Sequence, residues 1–166
     1  MKIKSLFFKA PEPKLKIKKN LSIYISEKHS EIIFAPVYKE TNAGYTFEQE
    51  TCEVIGLNDS PEIIGETFKK NFNKFDLKKR QTVSGKKSDW PAFKASKEKT
   101  IVGFEKNYIR FSISGVNENN LFFEIKTSFN YPTQIELITT ISAYCSNSDL
   151  GKRLLKIYNS DISERK

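Results

Sequence analysis

The sequence predicts an α+β fold, a largely antiparallel sheet with two helices. Three observations carry this. Segments that alternate apolar and polar residues, the period of a half-buried strand, dominate the chain. Two stretches, beginning near Pro61 and near Ser148, repeat apolar residues at helical spacing instead. Each of these follows a β-rich stretch, so a strands-then-helix layout occurs twice, as a possible pseudo-repeat.

The elements follow in order. "LSIYIS" sets Leu21, Ile23 and Ile25 against Ser22, Tyr24 and Ser26, a half-buried strand. "EKHSE" makes a polar turn that places His29, the sole histidine, in an exposed position without a role. "EIIFAPVYK" is a second strand, with Pro36 marking an edge or bulge. "NAG" at 42–44 is a hairpin turn, and "YTFEQETCEVIGL" a strand with Tyr45, Phe47, Val54 and Ile55 as its apolar content.

Asp59 or Ser60 caps the first helix, and Pro61 sits where a missing N–H costs nothing. Ile64, Phe68, Phe72 and Phe75 form its inner stripe, and Glu62, Glu66, Lys70 and Asn73 face outward. Residues 76–99 read as a basic irregular loop, anchored by Trp90 and Phe93 of "SDWPAFKAS", a short capped turn or helix. "KTIVGFE" reads as a strand leading through a turn at Lys106–Asn107 into the strand "YIRFSIS". "VNENN" is a hairpin loop and "LFFEIKTSF" a strand; "TQIELITTISAY", rich in β-branched residues, reads as a strand with a helix as the alternative. The closing helix "NSDLGKRLLKIY" is capped by Asn147 or Ser148.

The two helices align without a gap, "IGETFKKNF" on "LGKRLLKIY", with Gly65 on Gly151. Glycine inside a helix costs about 1 kcal/mol relative to alanine. Two at one register position predict a close approach of helix to sheet.

The 166 residues read as one domain, 1–166, with enough apolar content (38% hydrophobic, 13% aromatic) to exclude a disordered chain. No apolar run is long enough to span a membrane or to form a secretory leader, so a cytoplasmic protein is expected. Cys52 and Cys145 form no pattern and are expected to be free thiols. The net charge of +8 is uneven: residues 1–19, a basic N-terminal segment, hold seven Lys and one Glu, and residues 69–99 hold eleven Lys/Arg and three Asp/Glu. Residues 40–66 hold seven carboxylates and no Lys or Arg.

No Ser/His/Asp arrangement, phosphate loop or metal-ligand spacing is evident, so no enzyme activity, cofactor or metal is expected. Capping and the helix dipole account for Asp59 and Glu62. They do not account for Glu48, Glu50 and Glu53. An acidic surface of Glu48, Glu50, Glu53, Asp59, Glu62 and Glu66 would steer a basic partner. The basic zone offers the alternative: Lys78, Lys79, Arg80, Lys86, Lys87 and Trp90 as a single-stranded nucleic-acid surface combining charge with stacking.

The order and spacing of "LNDSPEIIGETF", "SDWPAFKAS", the hairpin after it and "SDLGKRLLK" resemble the CdiI-type immunity proteins of bacterial contact-dependent growth inhibition. The likeness runs from about residue 20 to 158, and Gly65, Trp90, Phe93 and Gly151 match its pattern as fold determinants. It implies a cytoplasmic binding protein that neutralises the toxic C-terminal domain of a cognate CdiA effector, often a nuclease. It implies no small-molecule substrate and no membrane partner. In outline the layout also resembles the Whirly single-stranded-DNA-binding fold, an analogy of fold only.

Overall fold

A computed structural model describes residues 18–41, 44–78, 89–115, 119–126 and 136–163. Their order is β1 (Asn20–Ser26), β2 (Glu31–Glu40), β3 (Thr46–Glu48), β4 (Glu53–Gly56), α1 (Pro61–Phe72), β5 (Asp76–Lys78), α2 (Pro91–Ala95), α3 (Ile101–Asn107), β6 (Ile109–Gly115), β7 (Asn120–Lys126), β8 (Glu136–Ser142) and α4 (Asn147–Ser163). The α+β class and the antiparallel sheet are as expected. The sheet has eight strands, and the described residues hold four helices rather than two.

The strands run β3-β2-β1-β6-β7-β8, with β4 beside the first half of β2 and the short parallel β5 beside its end. β1 and β6 pair at the middle, antiparallel, with Ile23 opposite Phe111. On each side of that pair the chain runs outward through two more strand positions and then enters a helix, α1 or α4.

One sheet face carries Leu21, Ile23, Ile25, Ile32, Phe34, Phe111, Ile113 and Phe123. It is covered by Ile64 and Phe68 of α1 and by Leu150, Leu154 and Tyr158 of α4. Phe68 stacks on Phe123 at 5.7 Å. The opposite face is covered over β1 and β2 by α2 and α3, where Tyr24, Ile33, Ala35, Ala92, Phe104 and Tyr108 form a second core. β1 is therefore buried from Leu21 to Ser26 on both faces, not half-buried as its alternation implied.

The α3 stretch, expected as a strand and turn, is helical. Thr100 caps it through Gly103 N–H, and Phe104 lies one turn before Tyr108, so both reach the same core. Ile101 and Val102 are β-branched and suit a strand as well, and Lys106–Asn107 form the last turn of this helix. The stretch 76–99 is likewise not wholly irregular, since it contains β5 and α2.

The predicted strand over 45–57 is two strands, because Gln49–Cys52 bulge between them. Gln49 N–H donates to the Pro36 carbonyl at 2.7 Å. N–H and C=O of one strand residue point the same way, so the donor that Pro36 lacks would face this bulge. Tyr45 lies outside β3 and is 69% exposed. The hairpin turn has Gly44 at φ +73°, while Asn42 and Ala43 lie outside the described residues.

Ser60 caps α1, as expected, and the helix ends at Phe72, so Phe75 lies beyond it. The cap of α4 is Ser146, one residue before the positions expected. Its hydroxyl accepts from Asp149 N–H at 3.0 Å and donates to the Asp149 carboxylate at 2.8 Å.

Gly65 and Gly151 mark a close approach, but of helix to helix rather than helix to sheet. A Cβ on Gly65 would lie 1.9 Å from the Asn147 carbonyl oxygen, and one on Gly151 would lie 2.0 Å from that of Pro61. Each glycine meets the backbone four residues before the other, so the gapless alignment of the two helices is realised as a reciprocal contact.

Candidate partner-binding surface

The six carboxylates proposed as a common acidic surface divide into three groups. Glu48, Glu53 and Asp59 are built into the fold. Glu48 accepts from the Tyr24 hydroxyl at 2.5 Å and from Ala92 N–H at 2.9 Å, so it ties α2 to the central strand. Burial and the nearby Glu48 carboxylate push the Tyr24 hydroxyl well above its ordinary pKa. Glu53 accepts from Lys70 and Asn71, both at 2.9 Å, and pairs with Lys74 at 3.6 Å. Burial raises its pKa, but the hydrogen bonds from Lys70 and Asn71 outweigh this and hold it below the usual range. Asp59 accepts from Gly56 N–H at 3.0 Å and closes the turn before α1.

Glu50 is exposed but paired. Lys78 binds it at 2.8 Å and also lies 4.4 Å over the Tyr38 ring, while the Tyr38 hydroxyl donates to Glu50 at 3.3 Å. The Lys78 hydrogen bond lowers the Glu50 pKa.

Of the six, only Glu62 and Glu66 stand exposed without an ion pair or hydrogen bond among the described residues. They lie one turn apart on the outer face of α1. Ile63 stands beside them, 46% exposed. It sits one position, about 100° around the helix, from the buried Ile64. That offset from the Ile64–Phe68 stripe was the sequence signal that could have placed Ile63 at the surface. The patch is therefore Glu62, Ile63 and Glu66: two carboxylates beside one exposed aliphatic side chain.

Of the alternative nucleic-acid surface, Lys78 and Trp90 lie among the described residues. Lys79, Arg80, Lys86 and Lys87 lie outside the described residues. Lys78 is engaged with Glu50. Trp90 packs edge-on against Phe104 at 4.9 Å and Tyr24 at 5.7 Å, so its ring serves the second core.

His29 is not the exposed, idle turn residue the sequence suggested. Its Nε2 lies 2.6 Å from Glu98 Oε1, its ring stacks 5.7 Å from Tyr108, and its backbone carbonyl accepts from Lys97 at 3.1 Å. Lys28 and Asn107 donate to the same Glu98 oxygen at 2.8 and 2.7 Å. Beneath them the buried Glu31 accepts from the Tyr108 hydroxyl and pairs with Lys97 at 2.9 Å. This network joins the β1–β2 turn to the segment between α2 and α3. The hydrogen bonds from Lys28 and His29, followed by that from Asn107, lower the Glu98 pKa to about 2.

A depressed carboxylate stabilises the folded state above its unfolded pKa, about 4.3, and that contribution is lost as pH falls through the folded value. The network should therefore hold above about pH 4 and weaken toward pH 2. Carbon-detected NMR should show the Glu98 carboxyl titrating near pH 2, and a midpoint in the ordinary range would refute the ion-paired geometry.

Cys52 and Cys145 are free. Burial pushes the Cys52 thiol up to about 12. Among the described residues no group of three or more His, Cys, Asp or Glu is placed to hold a metal ion, and no helix is long and apolar enough to cross a membrane.

Fold and surface together define an α+β domain with a small acidic–apolar patch on the outer face of α1. No family model matches the chain, and no curated protein matches it. Among solved structures the fold is similar to a protein of unknown function from Neisseria meningitidis, NMB0488. The TM-score is 0.60 at 11% identity, over 82% of this chain and 90% of that one. The likeness is one of fold.

Proposed function

We propose that this chain is an immunity protein that binds the toxic C-terminal domain, a nuclease, of a cognate CdiA-type effector and neutralises it by occlusion. The observation that carries the reading is the outer face of α1. There Glu62 and Glu66 stand beside exposed Ile63 with no cation bound to either carboxylate among the described residues. Unpaired carboxylates keep their full attraction for a basic surface, such as the substrate path of a nuclease. The exposed aliphatic beside them supplies apolar contact area for an interface. The resemblance of "LNDSPEIIGETF", "SDWPAFKAS" and "SDLGKRLLK" to the CdiI type supports the same reading. The net charge of +8 does not oppose it, because over a Debye length of about 8 Å a partner senses the patch and not the sum.

A standard interface buries about 1,600 Å² in total, so the patch would be its electrostatic part and not its whole extent. Glu48, Glu53 and Asp59 are assigned to the fold, which narrows the proposed contacts to Glu62, Ile63 and Glu66 with Glu50 at the rim.

The test is binding to the C-terminal domain of the effector encoded beside this protein. The double variant Glu62→Lys/Glu66→Lys should lower the association rate about tenfold or more at low salt and flatten its dependence on ionic strength. Unchanged kinetics would remove the patch from the interface. Absence of any binding, with no rescue of cells expressing the toxic domain, would sink the function itself.

A further inference from the structure

The two edges of the sheet are built differently. At one edge β3 has three residues and β4 has four, a bulge separates them, and Glu48 and Glu53 sit within or at the end of these strands. Short length, bulges and charge are the devices that keep an edge from pairing with another chain. At the other edge β8 is neither short nor bulged, and it carries charge only at its start. "ELITTIS" pairs with β7 in unbroken register for seven residues, from Glu136 opposite Lys126 to Ser142 opposite Asn120. It contains no Pro, Lys or Gly, and its single charged residue stands at its start. Among the described residues its one neighbouring strand is β7. Ile138 is 53% exposed.

The direction of its backbone groups follows from one hydrogen bond. Ala143 N–H donates to the Asn119 carbonyl at 2.7 Å, continuing the β7–β8 register by one position. In an antiparallel ladder, alternate residues turn N–H and C=O toward the partner. Leu137, Thr139 and Ile141 therefore turn theirs toward β7, and Ile138, Thr140 and Ser142 turn theirs away from it.

We propose that β8 pairs antiparallel with β8 of a second copy of this chain, about a two-fold axis at Thr139. The strand is self-complementary about that point, as an isologous interface requires. Ile138 comes opposite Thr140 of the second copy, and both turn their backbone groups into the new ladder. Leu137 comes opposite Ile141 of the second copy on the face covered by α1 and α4, so apolar side chains meet. Glu136 comes opposite Ser142 of the second copy, so no like charges meet. A slip of one residue would set outward-turned groups against inward-turned ones and form no ladder. The proposal is independent of the toxin-binding reading, which concerns α1.

Sedimentation equilibrium of the full chain should give twice the monomer mass, in a concentration-dependent manner. Thr140→Pro removes an outward N–H and leaves the β7 ladder its donors. It should weaken dimerisation by at least about tenfold, since by symmetry the bond is lost twice. Amide exchange tests the same contact in the unmodified protein, so the test does not depend on the variant folding. Ile138, Thr140 and Ser142 should become protected as concentration rises. A monomer at sub-millimolar concentration would overturn the proposal. So would outward amides protected in a strict monomer, or a folded Thr140→Pro dimer of undiminished affinity.

Discussion

Replacing Gly65 by alanine should destabilise the protein by about 2–3 kcal/mol, the cost of overpacking a tight contact. For a chain of this size that lowers the melting temperature by about 5–10 °C. The sign is the informative part. In a helix with open space around it, glycine to alanine gains about 1 kcal/mol from propensity alone. Here the new methyl would lie 1.9 Å from the Asn147 carbonyl oxygen, which is backbone and cannot rotate away. The whole of α4 must move, and with it Leu150 and Leu154, which are fully buried in the main core. Gly151→Ala meets the Pro61 carbonyl at 2.0 Å and should cost a similar amount. The double variant should cost clearly less than the sum, because helices already parted for one methyl admit the second more easily. Urea denaturation of the two single variants and the double variant measures all three values. A Gly65→Ala protein more stable than wild type would show that the helices are not in backbone contact.

Glu48→Ala should cost about 2–3 kcal/mol, by leaving two donors without an acceptor. One is the hydroxyl of Tyr24, 2% exposed; the other is Ala92 N–H in the first turn of α2. The loss should be local as well as global. α2 is held by that bond and by contacts of Trp90, Ala92 and Phe93 with the second core. Emission of Trp90, the single tryptophan, should shift to the red as the segment loosens. Glu62→Lys/Glu66→Lys, by contrast, should cost about 1 kcal/mol, the loss of the Glu62 charge from the first turn of α1, since both side chains are exposed and unpaired among the described residues. The contrast separates carboxylates that hold the fold from those free to hold a partner. A stable Glu48→Ala protein with unchanged fluorescence would return Glu48 to the candidate surface.

Local patterns reached a large part of this architecture. β1, β2, β6, β7 and β8 coincide with alternating or β-branched runs, and α1 with a capped helical stripe, because each buries a face whose period is written in consecutive residues. The matched glycines announced a close contact, because a helix keeps glycine at a cost only where a side chain would not fit. Alternation could not say that β1 is buried on both faces, since Ser22 and Ser26 are small enough to be buried under other elements. Nor could it separate the helix over "IVGFEKN" from a strand: in seven residues one buried face looks alike in either period, and only the packing of Phe104 and Tyr108 decides.

Charge was the least legible feature. The run of carboxylates from Glu40 to Glu66 was evident in the chain, and so was its lack of cations. Which carboxylates remain free depended on partners distant in sequence. Lys70, Asn71 and Lys74 reach Glu53 from α1 and the turn after it; Tyr24 and Ala92 reach Glu48 from β1 and α2; Lys78 reaches Glu50 from β5. Periodicity is a property of neighbours along the chain, so the sequence alone sufficed for the class of fold and most of its strands. An ion pair is a property of neighbours in space. Tertiary packing therefore decided that of six candidate acids only Glu62 and Glu66 are left without a partner among the described residues.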